Sequence, residues 1–119
     1  MKYFYDLHIH SDLSPCGSED MTPNNIVNMA FIKGLSIISI TDHNTVKNYP
    51  AIHKVALEKN IEVIPGMEVT SREEVHLLCY FKEYESALDM DRMVYESLPN
   101  INNKAKIFGE QNIYNEKDE

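Results

Sequence analysis

Apolar and polar positions first alternate along this chain, then group at helical spacing, then alternate again. Tyr3–His10, YFYDLHIH, is rich in aromatic and branched residues and predicts a first strand. SDLSPCGSEDM follows as a loop, marked by Pro15, Gly17 and a cluster of serines and acids. Thr22 is a good N-cap and Pro23 falls at the first helical position, where its missing N–H is harmless. Ile26, Met29, Ala30 and Lys33 then keep helical spacing up to Gly34, a C-terminal cap. LSIISIT, residues 35–41, is a short, nearly continuous apolar run that suits a strand covered on both faces of a parallel sheet. Tyr49–Lys59 predicts a second helix with Ala51, Ile52, Val55 and Ala56 on its apolar face. IEVIP (61–65) predicts a third strand, ended by Pro65–Gly66. VHLLCYF (75–81) predicts a fourth, in which Cys79 reads as a buried small hydrophobe. Ala87–Leu98 predicts a third helix before Pro99.

The alternation of strands and helices indicates an α/β domain with a mainly parallel sheet over residues 1–98. Residues 99–119 form a polar, Asn/Lys/Glu-rich tail with scattered Ile, Phe and Tyr. At 119 residues the chain is expected to hold one domain.

Charge and composition narrow the function. The formal net charge is −8, whereas proteins that bind the phosphate backbone of nucleic acids are usually basic. Nucleic acid is therefore not expected as a bulk electrostatic partner, although a bound metal would still allow a small site to take phosphate. No run approaches the roughly 18 apolar residues of a membrane span. MKYFYD is no secretory signal, so the cytoplasm is the expected address and Cys16 and Cys79 are expected as free thiols.

The informative pattern is where the imidazoles and carboxylates fall. His8 and His10 end the first strand, Asp42 and His43 end the second, Glu68 follows the third, and His76 lies in the fourth. Parallel sheets gather their ligands at the C-terminal ends of their strands. Residues two apart in a strand face the same way, so His8 and His10 can approach one ion together. A carboxylate can bridge two ions, and mixed nitrogen and oxygen donors suit zinc, manganese or iron. Each residue alone has a plainer reading. His76 fits a satisfied core histidine, Asp42–His43 fits turn chemistry, Cys16 fits a loop thiol, and His53 fits a helix surface. The case for a metal centre rests on their convergence.

DLHIHS, TDHN, PGMEVTS and EVHLLCYF resemble, in order, the first motifs of the PHP (polymerase and histidinol phosphatase) domain, over roughly residues 4 to 85. The SPCGSEDMTP loop is similar to that of a bacterial subgroup of uncharacterised PHP-domain proteins. The resemblance implies the N-terminal portion of a distorted (β/α)7 barrel, like a TIM barrel, with two to three divalent metal ions (Zn, Mn or Fe) at its rim. It implies hydrolysis of a small phosphomonoester or nucleotide-type phosphoester by water activated on the metals. His8 and His10 would bind a first metal, Glu68 would bridge to a second, and His76 would bind that second. His43 would bind a third, and Asp42 would orient an imidazole. Pro15 and Cys16 stand where many family members carry an Asp or His. A Cys16 thiolate would substitute and favour zinc, and Asp20 is a more distant candidate.

Nothing after His76 contains a histidine, so the family's later ligands and about half of its barrel strands are expected to be missing. Open strand edges then predict self-association. A non-catalytic metal-binding module, such as a polymerase-associated or truncated PHP domain, is the alternative to an enzyme. Lys47 and Arg72 are the candidate phosphate contacts, each weighed against a solvated surface charge.

Overall fold

A computed structural model describes residues 2–98 and 111–119. The beginning of the polar tail, 99–110, falls outside the described residues. The elements are β1 (Tyr5–Ile9), α1 (Pro23–Ile32), β2 (Ile37–Ile40), α2 (Tyr49–Leu57), β3 (Glu62–Val63), β4 (Gly66–Thr70), β5 (His76–Tyr80) and α3 (Tyr84–Ser97). β1, β2 and β3 form a parallel sheet in that order. β4 and β5 form an antiparallel hairpin, with Glu68 opposite Leu78 and Thr70 opposite His76.

α1 forms where its caps place it. Thr22 caps the first turn, Pro23 opens the helix, and Gly34 takes the left-handed conformation at φ 73 that lets Leu35 N–H close on the Ala30 carbonyl. Ile26, Val27 and Ala30 of α1 pack with Ile52, Val55 and Ala56 of α2 against Ile38 and Ile40 of β2 and Val63 of β3. Ser39 and Thr41 point to the other face of β2 and are also fully buried. Both faces of β2 are thus covered, as its continuous apolar run requires.

The cover on that second face is the hairpin. A Cβ on Gly66 would lie 2.4 Å from Ser39 Oγ and 3.0 Å from Thr41 Cγ2, so only glycine lets β4 approach this closely. Glu68 N–H to the Asp42 carbonyl (3.0 Å) and Asn44 N–H to the Glu68 carbonyl (2.9 Å) join the hairpin to the end of β2. α3 then packs Ala87, Leu88 and Val94 over Met67, Val69 and Val46 in a second apolar cluster.

The structure departs from the sequence reading at several points. β3 ends at Val63, ahead of Pro65 as expected, but Gly66 opens a further strand, β4, that the sequence reading did not include. VHLLCYF pairs antiparallel with β4 rather than extending the parallel sheet, because the short 71–75 connection allows only a reversal. Cys79 is consequently half-buried rather than buried, on a hairpin strand whose Leu77 is 51% exposed. α3 begins three residues before the predicted Ala87, and α2 ends at Leu57, short of Lys59.

The described end of the tail docks on the domain. Asp118 accepts from Asn24 N–H (3.0 Å) and Thr22 Oγ1 (2.8 Å), placing a carboxylate at the positive end of α1. Glu116 pairs with Lys54 of α2 at 2.7 Å. No described helix is long and apolar enough to cross a membrane.

Gly66→Ala tests the close approach of hairpin to sheet. The added methyl forces Ser39 Oγ off the Ile64 carbonyl it bonds at 2.7 Å. Overpacking of this kind destabilises by about 1–3 kcal/mol, to be read from urea denaturation.

Candidate metal centre

β1 is irregular just where its histidines emerge. Its pairing with β2 slips between Asp6 and Ile9, an extra residue of the kind that re-aims side chains beside functional sites. His8 and His10 turn to one locus, with their Nε2 atoms 3.2 Å apart. His43 follows β2 and forms an isolated parallel bridge with Glu68 in the middle of β4. His76 opens β5. It enters from the N-terminal end of its strand, not the C-terminal end, since the hairpin reverses direction there.

Glu68 is the hub. It is 5% exposed, and its two oxygens divide the imidazoles between them. Oε1 lies 2.6 Å from His8 Nε2 and 3.6 Å from His10 Nε2. Oε2 lies 2.7 Å from His76 Nδ1 and 3.1 Å from His43 Nδ1. Burial alone would raise the Glu68 carboxyl. The His76 hydrogen bond, the charge on His43, the His8 hydrogen bond and the charge on His10 together hold it below the usual carboxylate range. Burial and then the neighbouring His43 lower His10, which favours the neutral imidazole that a metal takes.

Three groups of donors meet within 4.8 Å: His8, His10 and Glu68; His43, Glu68 and His76; and His10, Cys16 and His43. The first two share Glu68, one carboxylate oxygen facing each. Among the described residues Glu68 has only histidines as ion-pair partners, with no lysine or arginine. A buried carboxylate ringed by imidazoles fits divalent cations better than any charge the chain itself supplies. Cys16 is exposed, and burial of its thiol, modest as it is, raises its pKa.

The surroundings hold this geometry. Asp42, 2% exposed, accepts from Ser11 N–H (2.7 Å), the Ser11 hydroxyl and the Ser14 hydroxyl (2.8 Å). Burial pushes its carboxyl up against those donors. Ser14 Oγ in turn accepts from His43 N–H (2.9 Å) and lies 3.3 Å from His10 Nδ1. Asp42 therefore touches no cluster imidazole directly and acts on His10 and His43 through Ser14. From the other side Asp91 of α3, 6% exposed, accepts from Thr45 Oγ1 and Val46 N–H.

Other expected residues fall elsewhere. His53 stacks on Tyr49 at the α2 surface. Asp20 stays exposed and joins none of the three donor groups. Lys47 lies 5.2 Å over the Tyr95 ring and lines a cleft of about 280 Å³ that His43 also borders. Arg72 lines a separate groove beside Met90 and Met93. Ser11, Ser14, Asn48 and Asp91 were not singled out from sequence. Only the serine directly after the His-x-His stretch carries a local hint, a hydroxyl beside two imidazoles.

An α/β sheet whose rim gathers four histidines around one carboxylate forms a candidate metal site with histidine and carboxylate donors. The PHP domain family model matches residues 6–117, and the chain belongs to that family. It is 34% identical over 76 residues to an uncharacterised protein of Methanocaldococcus jannaschii, covering 57% of this chain and 44% of that one. It is 31% identical over 70 residues to a 5'-3' exoribonuclease of Haemophilus influenzae, covering 59% and 24%. The chain thus spans less than half the length of these curated relatives. Among solved structures, its fold is similar to a candidate metal-dependent phosphoesterase from Bifidobacterium adolescentis, with TM-score 0.65 and 24% identity over 81% of this chain and 33% of that one. It is also similar to an amidohydrolase from Chromobacterium violaceum with bound sulfate and no metal, with TM-score 0.58 and 23% identity over 74% and 32%.

Glu68→Gln keeps the shape of the hub and removes its charge. Affinity for Mn²⁺ or Zn²⁺ is expected to fall by at least about a hundredfold, beyond the roughly 10–100-fold typical of outer-shell partners, with isothermal titration as the measurement.

Proposed function

We propose that this chain forms the metal-binding part of a metal-dependent phosphoesterase. The observation that carries this reading is the sharing of Glu68, with His8 and His10 facing one oxygen and His43 and His76 facing the other. In this reading His8 and His10 would hold a first divalent ion, His76 a second, and Glu68 would offer one oxygen to each. His43, beside Cys16, would hold a third; a Cys16 thiolate there would favour zinc over manganese or iron. When bound, such ions make water acidic enough to attack phosphorus at neutral pH and neutralise charge on the phosphoryl oxygens.

The chain's own residues have defined tasks. The Ser14 hydroxyl fixes the His10 ring and the His43 main chain, and Asp42 anchors Ser14. The cleft bordered by His43, Lys47 and Tyr95 offers space for the substrate beside the ions, with Lys47 as an anion contact. A small phosphomonoester suits its volume, and the Haemophilus exoribonuclease adds nucleotide-type phosphoesters to the classes worth assaying. The rim location supports placing these elements at the start of a distorted (β/α)7 barrel, with residues 1–98 as its body and 99–119 leading toward a further element.

The expected result is hydrolysis of para-nitrophenyl phosphate or a nucleoside monophosphate, raised by Mn²⁺ or Zn²⁺, removed by EDTA, and lost in His8→Ala. Metal binding without turnover across such a panel would favour a non-catalytic metal module instead.

We also propose self-association. Tyr3 and Phe4 just before β1 and Tyr5 at its start are 59–66% exposed, and Val75, Leu77 and Tyr80 in and beside β5 are 42–51% exposed, leaving apolar surface at two strands. Light scattering after size exclusion should show a dimer or larger; a stable monomer of 13.8 kDa would contradict this.

A further inference from the structure

Asp12 is 2% exposed, and a carboxylate that deep needs donors. Among the described residues both come from the C-terminal segment: Asn112 Nδ2 at 2.8 Å and the Tyr114 hydroxyl at 2.6 Å. Asn48 is fully buried and leans on the same segment. Its Nδ2 donates to the Asn112 carbonyl (3.1 Å) and to Ser11 Oγ (3.0 Å), while its Oδ1 accepts from Tyr114 N–H (2.8 Å). Asn48 precedes α2 at the capping position yet makes no cap bond there, because its amide is committed to these partners.

From Ser11 inward the donors run one way. The Ser11 hydroxyl accepts from Asn48 and so donates to Asp42. Ser14 donates to Asp42 and is left to accept, from His43 N–H and from His10 Nδ1. That polarity puts the His10 proton on Nδ1 and turns the Nε2 lone pair toward His8 and Glu68, the orientation a metal ligand needs.

We propose that Asn112 and Tyr114 are positioning residues of the metal centre: by satisfying Asp12 and Asn48 they hold the 11–14 loop in the conformation that sets His10 and His43. The proposal rests on the metal-centre reading above. Without these two side chains a buried carboxylate loses both its donors, a larger penalty than an ordinary lost hydrogen bond, while the main-chain bonds to Asn48 stay available. The loop relieves it by opening Asp12 to water, and it carries Ser11 and Ser14 away from Asp42. The segment holds no ligand itself and still governs the ligand geometry. Asp118 provides an internal control, since it docks the same segment on Thr22 and Asn24 without touching Asp12 or Asn48.

The test uses the full chain with ¹⁵N-labelled histidine and no metal, at a pH where imidazoles are neutral. Wild type should show His10 as the Nδ1–H tautomer. Asn112→Ala/Tyr114→Phe should shift its ring nitrogens toward a tautomer mixture, whereas Asp118→Ala should keep the wild-type signature. Mn²⁺ titration should show the double variant binding about tenfold more weakly, the low end for outer-shell partners. If the double variant unfolds, Tyr114→Phe alone, the loss of one hydroxyl, decides. Wild-type His10 shifts and wild-type affinity in a folded variant would overturn the proposal. A wild-type chain that binds no metal would instead defeat the phosphoesterase reading, and the His10 signature would still decide this one.

Discussion

The buried carboxylate of Glu68 is the constraint around which the rest of the molecule is arranged. A charge 95% removed from water is unfavourable unless it is paired, and this one meets only imidazoles. To supply them, strands distant in sequence must end or begin within a few ångströms of one point. The slipped register of β1 aims two histidines at it. The hairpin brings Glu68 itself against the parallel sheet, through a glycine that leaves no gap between Gly66 and β2. The reversal at 71–75 returns His76 to the same side. Each of these would be an odd feature alone; together they are what one buried charge demands.

The second layer explains why that arrangement does not relax. The 43–46 turn carries His43 of the cluster and is clamped from both sides, by Ser14 on the His43 amide and by Asp91 on Thr45 and Val46. Asp42 sits behind Ser14 among donors that offset its burial. Such fully satisfied polar networks are stiff because any single displacement strands a buried partner. In a metal site this stiffness is functional: donors placed in advance need not reorganise when an ion arrives.

Much of this was readable in the chain, for identifiable reasons. Thr22, Pro23 and Gly34 delimit α1 because capping chemistry is local. His8, His10, His43, Glu68 and His76 could be singled out because strand periodicity and the rim rule of parallel sheets are also nearly local. β4 was missed because Pro–Gly reads as the end of a strand and does not announce a new one, whereas here the glycine is needed for contact with Ser39 and Thr41, residues some 25 positions earlier. Ser11, Ser14 and Asn48 were missed because a hydroxyl or amide declares its role only through its partners, and those partners come from four segments. Asn112 and Tyr114 were the least legible. In sequence they belong to polar text, and their meaning depends on a carboxylate a hundred residues away.

The imidazoles are not equally enclosed, and the difference has a direction. The side chains of His10 and His43 are 21% exposed and are tied to Ser14, while those of His8 and His76 are 51% and 56% exposed. The two inner rings form a fixed floor, and the two outer rings flank an opening. A site that is to exchange water or substrate needs such an open side, yet hydrolysis also benefits when bulk water is limited. The cluster is therefore enclosed on the side of Ser14, beneath His10 and His43, and open on the side of His8 and His76, so water reaches it past the outer pair.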